Sequence, residues 1–344
     1  MNAVSTDSLE HEVDSTRGPQ HGYVLVKGSA GLGNRLLTVL TGIAYAHLSG
    51  RVLVVDWSDP MFSDCGENSF PLLFECAVAH HVPRDIKEYS VEPGLWKGRL
   101  EKTPMQVVNE YYPKLLGTYR CCQRSSIDVS RVRYDARVVV LWGWDSQLYR
   151  FIRRLGGDLS EVAGMSERNG LRWLARRYLR PAMQIRERVA ALNEGRKRPS
   201  IGVHIRYTDR KAPLHAIMAR VDREYRRCPE MACFLATDSY DVEVMFRKRF
   251  PNVVTIGKGY MANGAPLHMG LHQSERAKRA VEAVSEMFAL ASCEQMIYAS
   301  RSTFGVVADL LAVRGGEESI DVDRWNWALR GKRLLQRCAT ALRI

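Results

Sequence analysis

The 344-residue sequence lacks the features that mark zinc-binding, disulfide-rich or membrane-spanning proteins. Its eight cysteines are scattered and form no CxxC pair, which argues against a structural zinc site and a disulfide framework. No apolar run approaches the roughly 18 residues that a membrane-spanning helix needs. The first twenty residues are acidic and polar, unlike a signal peptide. These absences lead us to expect a cytoplasmic protein.

The composition is that of a folded globular protein with an excess of positive charge. Hydrophobic residues make up 46% and charged residues 26% of the chain. Fifty residues are Lys or Arg and 38 are Asp or Glu, which gives a net charge of +12. Such a surface attracts anions, among them nucleotides, sugar phosphates, nucleic acids and acidic lipid headgroups. The length suggests two domains or one large α/β unit.

The first part of the chain has the pattern of a strand–helix–strand unit. The apolar run 23–26 is followed by a glycine-rich turn at 28–34, and apolar residues then recur at helical spacing until Gly50. A second buried-type strand is predicted at 52–56. Glycines between strand and helix would let the backbone approach a ligand, and a helix N-terminus favours anions. The alternative is an ordinary tight turn.

The glycine spacing differs from the common nucleotide-binding signatures. The turn reads Gly28-x-x-Gly31-x-Gly33-Asn34, which is not the order G-x-G-x-x-G. No P-loop Lys-Ser/Thr pair follows it. The turn by itself therefore does not name a ligand.

A second series of alternating strands and helices begins near residue 200, after a basic, turn-rich stretch at 193–199. Polar or charged side chains follow three of its predicted strands, at 204–211, 237–239 and 300–304. In open α/β sheets, ligands bind at the carboxyl ends of the strands. We therefore expect a binding site at this edge of the sheet.

The segment after residue 203 carries the side chains best suited to an anion. His204 and Arg206 alternate with apolar residues, so both project from one face where the predicted strand ends. The planar guanidinium of Arg206 suits a diphosphate, and a buried Asp209 could hold it in place. The alternative is a solvated run of charges. The polar residues at 237–239 and 302–303 could equally cap the helices that follow them.

The histidines offer no metal-binding pattern. The sequence contains no HExxH motif, and Gly270 between His268 and His272 disfavours a helical metal face. We therefore predict a site without metal, in which His215 is a candidate general base.

Seven segments in a fixed order resemble a known superfamily. They are 31–34, 51–57, 202–206, 234–239, 266–268, 286–291 and 302–304. The ordered set, from about residue 22 to 312, resembles the GDP-fucose-dependent fucosyltransferases of the α1,6 and protein-O-fucosyl group. It is most similar to the nodulation branch of that superfamily.

The resemblance implies an α/β protein of the GT-B-like class, with two Rossmann-like domains facing a cleft. We expect a disordered N-terminus at 1–18, an acceptor-side α/β domain at 19–195 and a GDP-fucose-binding domain at 196–318. The basic segment 319–344 either packs back on the body as a helix or lies on an anionic membrane as an amphipathic helix.

The resemblance also assigns roles to residues of the donor site. Arg206 would grip the GDP diphosphate and stabilise the departing charge, while His204 and Glu286 would read the guanine. Asp238 would hold Arg206 or the donor in place. The other donor-binding residues would be Ser302, Thr303 and Phe304 at the β-phosphate, and Gly31, Gly33 and Asn34 from the first domain.

The implied function is transfer of fucose from GDP-fucose to a glycan hydroxyl, with inversion and without a metal ion or bound cofactor. The expected linkage is α1,6 to GlcNAc of a (lipo)chitooligosaccharide, and no nucleic-acid partner is expected. Other readings are a protein O-fucosyltransferase, another GDP-sugar transferase, and a non-catalytic GDP-sugar-binding protein.

The sequence departs from the superfamily pattern at several positions, among them Tyr207 and Arg210. The segment 210–215 lacks the acceptor-activating glutamate of the core α1,6 enzymes, so Asp209 and His215 are the candidates for the general base. Glu286 stands where an aspartate is usual.

Overall fold

Two five-stranded parallel sheets with helices packed against them form the architecture of the computed structural model. The structure describes residues 22–196, 198–257, 275–313 and 318–342. The expected disordered N-terminus at 1–18, the motif segment 266–268 and His272 lie outside the described residues.

The helices and strands alternate along the described chain. The strands are β1 (Tyr23–Lys27), β2 (Val52–Asp56), β3 (Phe74–Glu75), β4 (Ala79–His80), β5 (Val91–Glu92), β6 (Val138–Leu141), β7 (Arg180–Pro181), β8 (Ser200–Ile205), β9 (Ala232–Thr237), β10 (Val253–Val254), β11 (Gln295–Tyr298) and β12 (Ser319–Asp321). The α-helices are α1 (Leu32–Ser49), α2 (Phe70–Leu73), α3 (Pro104–Tyr111), α4 (Tyr119–Ser125), α5 (Ser160–Ala163), α6 (Glu167–Tyr178), α7 (Met183–Glu194), α8 (Leu214–Arg227), α9 (Tyr240–Arg249), α10 (Arg276–Ala291), α11 (Thr303–Leu311) and α12 (Trp327–Leu342). Short 3-10 turns lie at Ile86–Glu88, Gly94–Trp96, Pro113–Leu115, Leu148–Arg150, Ile152–Arg154 and Gly157–Leu159.

Each large sheet is the centre of one α/β unit. The strand order is β4-β2-β1-β6-β5 in the first unit and β10-β9-β8-β11-β12 in the second, with all neighbours parallel. A short antiparallel pair, β3 and β7, stands apart from both. The sequence pattern does not predict β12, because the residues Ser-Ile-Asp of this strand form no apolar run. This strand extends the second sheet past residue 318, where we expected the domain to end.

Side-chain alternation along the strands joins the two units in one core. Val24 and Val26 of β1 belong to the inner cluster, whereas Leu25 faces the outer side of the first sheet. Phe234 of β9, in the second sheet, belongs to the same inner cluster. The two α/β units therefore share a continuous hydrophobic core.

A layer of helices carries this core between the sheets. Helix α1 packs on α6 and α11, and α10 packs on α7 and α11. The buried carboxylate of Asp309 on α11 accepts hydrogen bonds from Arg168 at 2.6 Å and from Arg172 at 2.8 Å, both on α6. Pairing compensates the cost of burying this charge, and it fixes α11 against the first unit.

The two units also touch backbone to backbone, at the N-termini of α1 and α11. A Cβ atom on Gly33 would lie 2.4 Å from the carbonyl carbon of Thr303 and 2.5 Å from the amide nitrogen of Phe304. The hydroxyl of Thr303 donates to the side-chain oxygen of Asn34 across this contact. Only glycine leaves room for this approach.

The basic C-terminal segment forms α12, and one side of this helix packs back on the body. Arg337 pairs with Glu167 at 2.5 Å and lies 4.7 Å from the centroid of the Tyr149 ring. Arg333 donates to the carbonyl oxygen of Ser300. None of the helices in the described parts of the chain is long and apolar enough to cross a bilayer.

We expect Gly33→Ala to lower the free energy of unfolding by about 1–3 kcal/mol, because the added methyl group overlaps rigid backbone atoms. Gly31→Ala is the matched control: a Cβ there meets no atom within 4 Å, and φ is −69°. The control should cost less than Gly33→Ala, at most about 1 kcal/mol, which reflects only the poorer fit of alanine at a helix N-cap. Equilibrium unfolding in urea measures both variants, and equal stabilities would contradict the close contact at Gly33.

Candidate active site

A cleft lies where the carboxyl ends of β8 and β9 meet the N-termini of α1 and α11 and one face of α10. Most of the residues predicted for the donor site line it. They are Gly31, Gly33, His204, Arg206, Asp238, Glu286, Ser302, Thr303 and Phe304. The structure thus brings together residues from five separated segments of the sequence.

His204 and Arg206 reach the cleft from the inner face of the second sheet. Val203 and Ile205, which alternate with them along the chain, belong to the core on the opposite face of the sheet. The buried ring of His204 stacks on Phe304, with centroids 5.0 Å and planes 20° apart. Gly305 permits this stack, because a Cβ atom there would already lie 3.0 Å from Nδ1 of His204. The alternation read from the sequence therefore puts both side chains in the cleft.

Arg206 is held by a bidentate ion pair with Asp209. Its Nε donates to Oδ1 at 2.6 Å and its Nη2 donates to Oδ2 at 2.5 Å. The expectation that Asp209 is buried is wrong, since its side chain is 32% exposed. The physical reason is that the chain leaves the sheet after Arg206, and 209–211 are exposed. Asp209 orients the guanidinium plane from the solvent side.

Asp238 acts on the same loop from the end of β9. The amide N–H of Tyr207 donates to its Oδ1 at 2.6 Å, and the hydroxyl of Thr208 donates to its Oδ2 at 2.6 Å. We expected a contact with Arg206 itself or with the donor. The structure shows that Asp238 fixes the backbone directly after Arg206, so it positions the arginine indirectly. Its contact with the donor stays a prediction.

The helix N-termini at the cleft begin without side-chain caps. Ser302 precedes α11 and makes no capping hydrogen bond, so the capping alternative for its hydroxyl is wrong. The hydroxyl is buried and has no hydrogen-bond partner among the described residues. Gly31 precedes α1 and has no side chain with which to cap. Uncapped N–H groups at a helix start favour a bound anion.

Helix α10 contributes one face to the cleft. Arg276, Arg279, Glu282 and Glu286 line the cleft from this helix. Glu286 is only 6% exposed. The motifs in the sequence pointed to none of the other three residues, although positions four, seven and ten residues before Glu286 are expected to share its face. Two cations and two carboxylates therefore lie along this wall.

A buried arginine supports the opposite wall, which includes Met61 and Phe62. The guanidinium of Arg35 donates to both oxygens of Asp59 at 2.6 and 2.7 Å and lies 4.5 Å from the Phe62 ring centroid. Its Nε donates to the carbonyl oxygen of Ala30 at 2.8 Å. Ala30 has φ 58°, a left-handed conformation that is uncommon outside glycine. An arginine within an apolar helical stretch was the available signal for this missed cluster.

Two of the predicted site residues, Gly33 and Asn34, contact the start of α11, and a third, His215, lies outside the cleft. Gly33 approaches the backbone of Thr303, and the side chain of Asn34 bonds to the hydroxyl of that threonine. His215 is exposed in the first turn of α8 and does not line the cleft. The structure therefore does not bring His215 together with the donor-site residues.

The positive charge at the cleft comes from protein groups. In the described ranges, no three His, Cys, Asp or Glu side chains lie close enough together to hold a metal ion. The positive groups at the cleft are Arg206, Arg276 and Arg279, together with the N–H groups at the start of α1 and α11. This arrangement can hold an anion through protein groups.

Comparison with known proteins gives consistent relatives. Residues 177–328 match the family Nodulation protein Z (NodZ). The chain is 26% identical to Nodulation protein Z of Azorhizobium caulinodans over 330 residues, which are 86% of this chain and 91% of that protein. It is 24% identical to Nodulation protein Z of Bradyrhizobium diazoefficiens over 329 residues, 85% of this chain and 80% of that protein.

The fold is similar to that of a solved relative. A crystal structure of NodZ alpha-1,6-fucosyltransferase soaked with GDP-fucose matches with a TM-score of 0.58 and 22% identity, covering 89% of this chain and 97% of that chain. The predicted class, two Rossmann-like units of the GT-B kind facing a cleft, is confirmed. The chain is thus similar to Nodulation protein Z in sequence and shares the fold of a NodZ fucosyltransferase, as its ordered motifs predict.

Proposed function

We propose that the protein is a metal-independent glycosyltransferase that transfers fucose from GDP-fucose to a glycan hydroxyl with inversion at the sugar. The observation that carries this proposal is the meeting of three groups in one cleft: Arg206, the uncapped start of α11 and the buried carboxylate of Glu286. These groups suit the diphosphate and the guanine of one GDP-sugar. The activity named for the similar NodZ structure supports the same reading.

The donor diphosphate is assigned to Arg206 and the first turn of α11. Loss of GDP from fucose separates an oxocarbenium-like sugar from a negatively charged diphosphate. Asp209 takes two guanidinium N–H groups, and the other three are assigned to the diphosphate. The Ser302 hydroxyl and the helix N–H groups add further donors. Because these donors are oriented before the reaction, they stabilise the developing charge with little reorganisation.

The guanine is assigned to Glu286 beside the stacked pair of His204 and Phe304. The N1–H and 2-amino groups of guanine lie side by side, so one carboxylate can accept both hydrogen bonds. Adenine and uracil do not present this pair of donors. Those nucleotides therefore make fewer hydrogen bonds to this carboxylate than guanine does.

The acceptor is assigned to the first unit, at 19–195, with the donor on the second, at 196–318. The leading acceptor is GlcNAc of a (lipo)chitooligosaccharide, fucosylated through an α1,6 linkage, since the similar solved enzyme is named for that linkage. Asp209 is assigned to positioning Arg206, and His215 has no role in this scheme. The structure describes all eight cysteines and places none in a disulfide bond, which supports a location in the reducing cytoplasm.

Arg206→Lys should lower the rate of fucose transfer by about 10²–10³, because a point charge does not replace an oriented guanidinium at the diphosphate. The measurement is GDP release from GDP-fucose with chitooligosaccharide as acceptor, together with calorimetric GDP binding. Arg210→Lys, in the same exposed loop but outside the cleft lining, is the matched control and should keep its activity. Near-normal transfer by Arg206→Lys would refute the diphosphate role.

Transfer should survive exhaustive dialysis against EDTA, because protein cations and helix N–H groups supply the positive charge at the diphosphate. Adding Mg²⁺ or Mn²⁺ afterwards should change the rate little. Loss of activity on chelation, restored by either ion, would overturn the metal-independent mechanism.

GDP should bind far more tightly than UDP or ADP, by up to about 10⁴, because a site built around a hydrogen bond rejects partners that lack it. Glu286→Gln should reduce this preference more than it weakens diphosphate binding. Calorimetric titration of the three nucleotides into wild type and variant measures both effects.

Glu282→Gln is the matched control for this titration, since Glu282 lines the same wall one turn earlier. It should keep the preference for GDP. Equal affinities of wild type for the three nucleotides would refute the guanine site and the GDP-fucose proposal with it.

A further inference from the structure

The outward side of α12 and the turn before it expose large apolar side chains. Trp325 and Trp327 are each 69% exposed, Leu334 is 63% exposed and Leu335 is 72% exposed. Trp327, Leu334 and Leu335 are seven and eight residues apart, so they share one helix face. A contiguous exposed patch of this kind indicates an interaction surface.

The inward side of the same helix already accounts for its packing. Leu329, Arg333 and Thr340 follow one another at helical spacing and are half-buried or buried. Arg333 bonds to the carbonyl oxygen of Ser300, and Arg337 pairs with Glu167 at the border of the two sides. Folding of α12 onto the body therefore does not require the exposed tryptophans and leucines.

The charge of this segment is entirely of one sign. Residues 324–344 contain six Lys and Arg residues and no Asp or Glu. Two of these cations lie against the tryptophans: the guanidinium of Arg324 is 5.4 Å from the Trp325 ring centroid, and that of Arg330 is 4.7 Å from the Trp327 ring centroid. Tryptophan and leucine surrounded by cations are typical of helices that lie at the surface of anionic membranes.

We propose that this surface binds the headgroup region of an anionic lipid bilayer, with α12 parallel to the membrane plane. We call it the α12 outer face, made of Trp325, Trp327, Arg330, Lys332, Leu334 and Leu335. The tryptophans and leucines enter the headgroup layer, and the cations meet lipid phosphates. A second copy of the chain is a poorer occupant, because two faces with cations and no carboxylates repel each other.

Docking would also set the orientation of the cleft. Arg333 holds α12 to the carbonyl oxygen of Ser300, two residues before Ser302 at the start of α11. A helix fixed in the membrane plane therefore fixes the donor cleft relative to the lipid surface. This inference is independent of the proposed transfer reaction, since lipid binding needs neither donor nor acceptor.

Flotation of the full-length protein with lipid vesicles tests the proposal. Wild type should bind vesicles of phosphatidylcholine mixed with phosphatidylglycerol, and bind pure phosphatidylcholine at least about tenfold more weakly. High salt should reduce the binding, because screening weakens attraction between the cations and the lipid phosphates. Tryptophan emission should shift to shorter wavelength when the anionic vesicles are added.

Two double variants separate the apolar and the charged contributions. Leu334→Gln with Leu335→Gln, and Arg330→Gln with Lys332→Gln, should each reduce vesicle binding at least about tenfold. The matched control is Lys114→Gln with Leu116→Gln, an exposed lysine and leucine on another surface. It should bind as wild type does, and calorimetric GDP affinity should be equal in all variants.

Three outcomes would overturn the inference. The first is no binding of wild type to the anionic vesicles, and the second is full binding by both α12 double variants. The third is self-association of wild type without lipid that Leu334→Gln with Leu335→Gln abolishes, because the face would then be an interface between copies of the chain.

Discussion

The contact between the starts of α1 and α11 is the constraint on which the rest of the site depends. Gly33 lets the backbone of one helix start rest on that of the other, and Asn34 bonds to Thr303 across the contact. Both helices present the positive end of the peptide dipole and begin without a side-chain cap. Two such ends side by side repel each other, so an anion between them is strongly favoured. The same contact that joins the two units thus forms one end of the cleft to which we assign the donor.

Neighbouring side chains hold the cleft residues in place, either by pairing with them or by bonding to the backbone next to them. Asp209 fixes the plane of Arg206, and Asp238 fixes the loop that follows it. On the other wall, Arg35 ties the glycine turn to the loop of Asp59. Each cation or loop is therefore set in place before a ligand arrives. Prior orientation of this kind is what allows electrostatic stabilisation without a metal ion.

The two sides of helix α12 lie in different surroundings. Its inner side packs through Arg333 and Thr340, while its outer side exposes Trp327 and Leu334. The sequence pattern favoured either a packed helix or a membrane-surface helix, and treated these as alternatives. The three-dimensional arrangement makes them compatible, because the side chains that pack on the body and those that are exposed lie on opposite faces of the helix.

The sequence by itself determined the local features, since strand alternation and turn composition depend on neighbouring residues. It therefore placed His204 and Arg206 on one face and the polar segments at strand ends. Its ordered motifs indicated a resemblance that agrees with the family match at 177–328. Only the tertiary structure decided what meets across the fold. Asn34 and Thr303 are 269 residues apart, and no local pattern predicts their contact. The exposure of Asp209 and the distance of His215 from the cleft lining likewise depend on how loops leave the sheet. Packing between residues that are far apart in the sequence sets these positions, and the pattern of neighbouring residues does not reveal that packing.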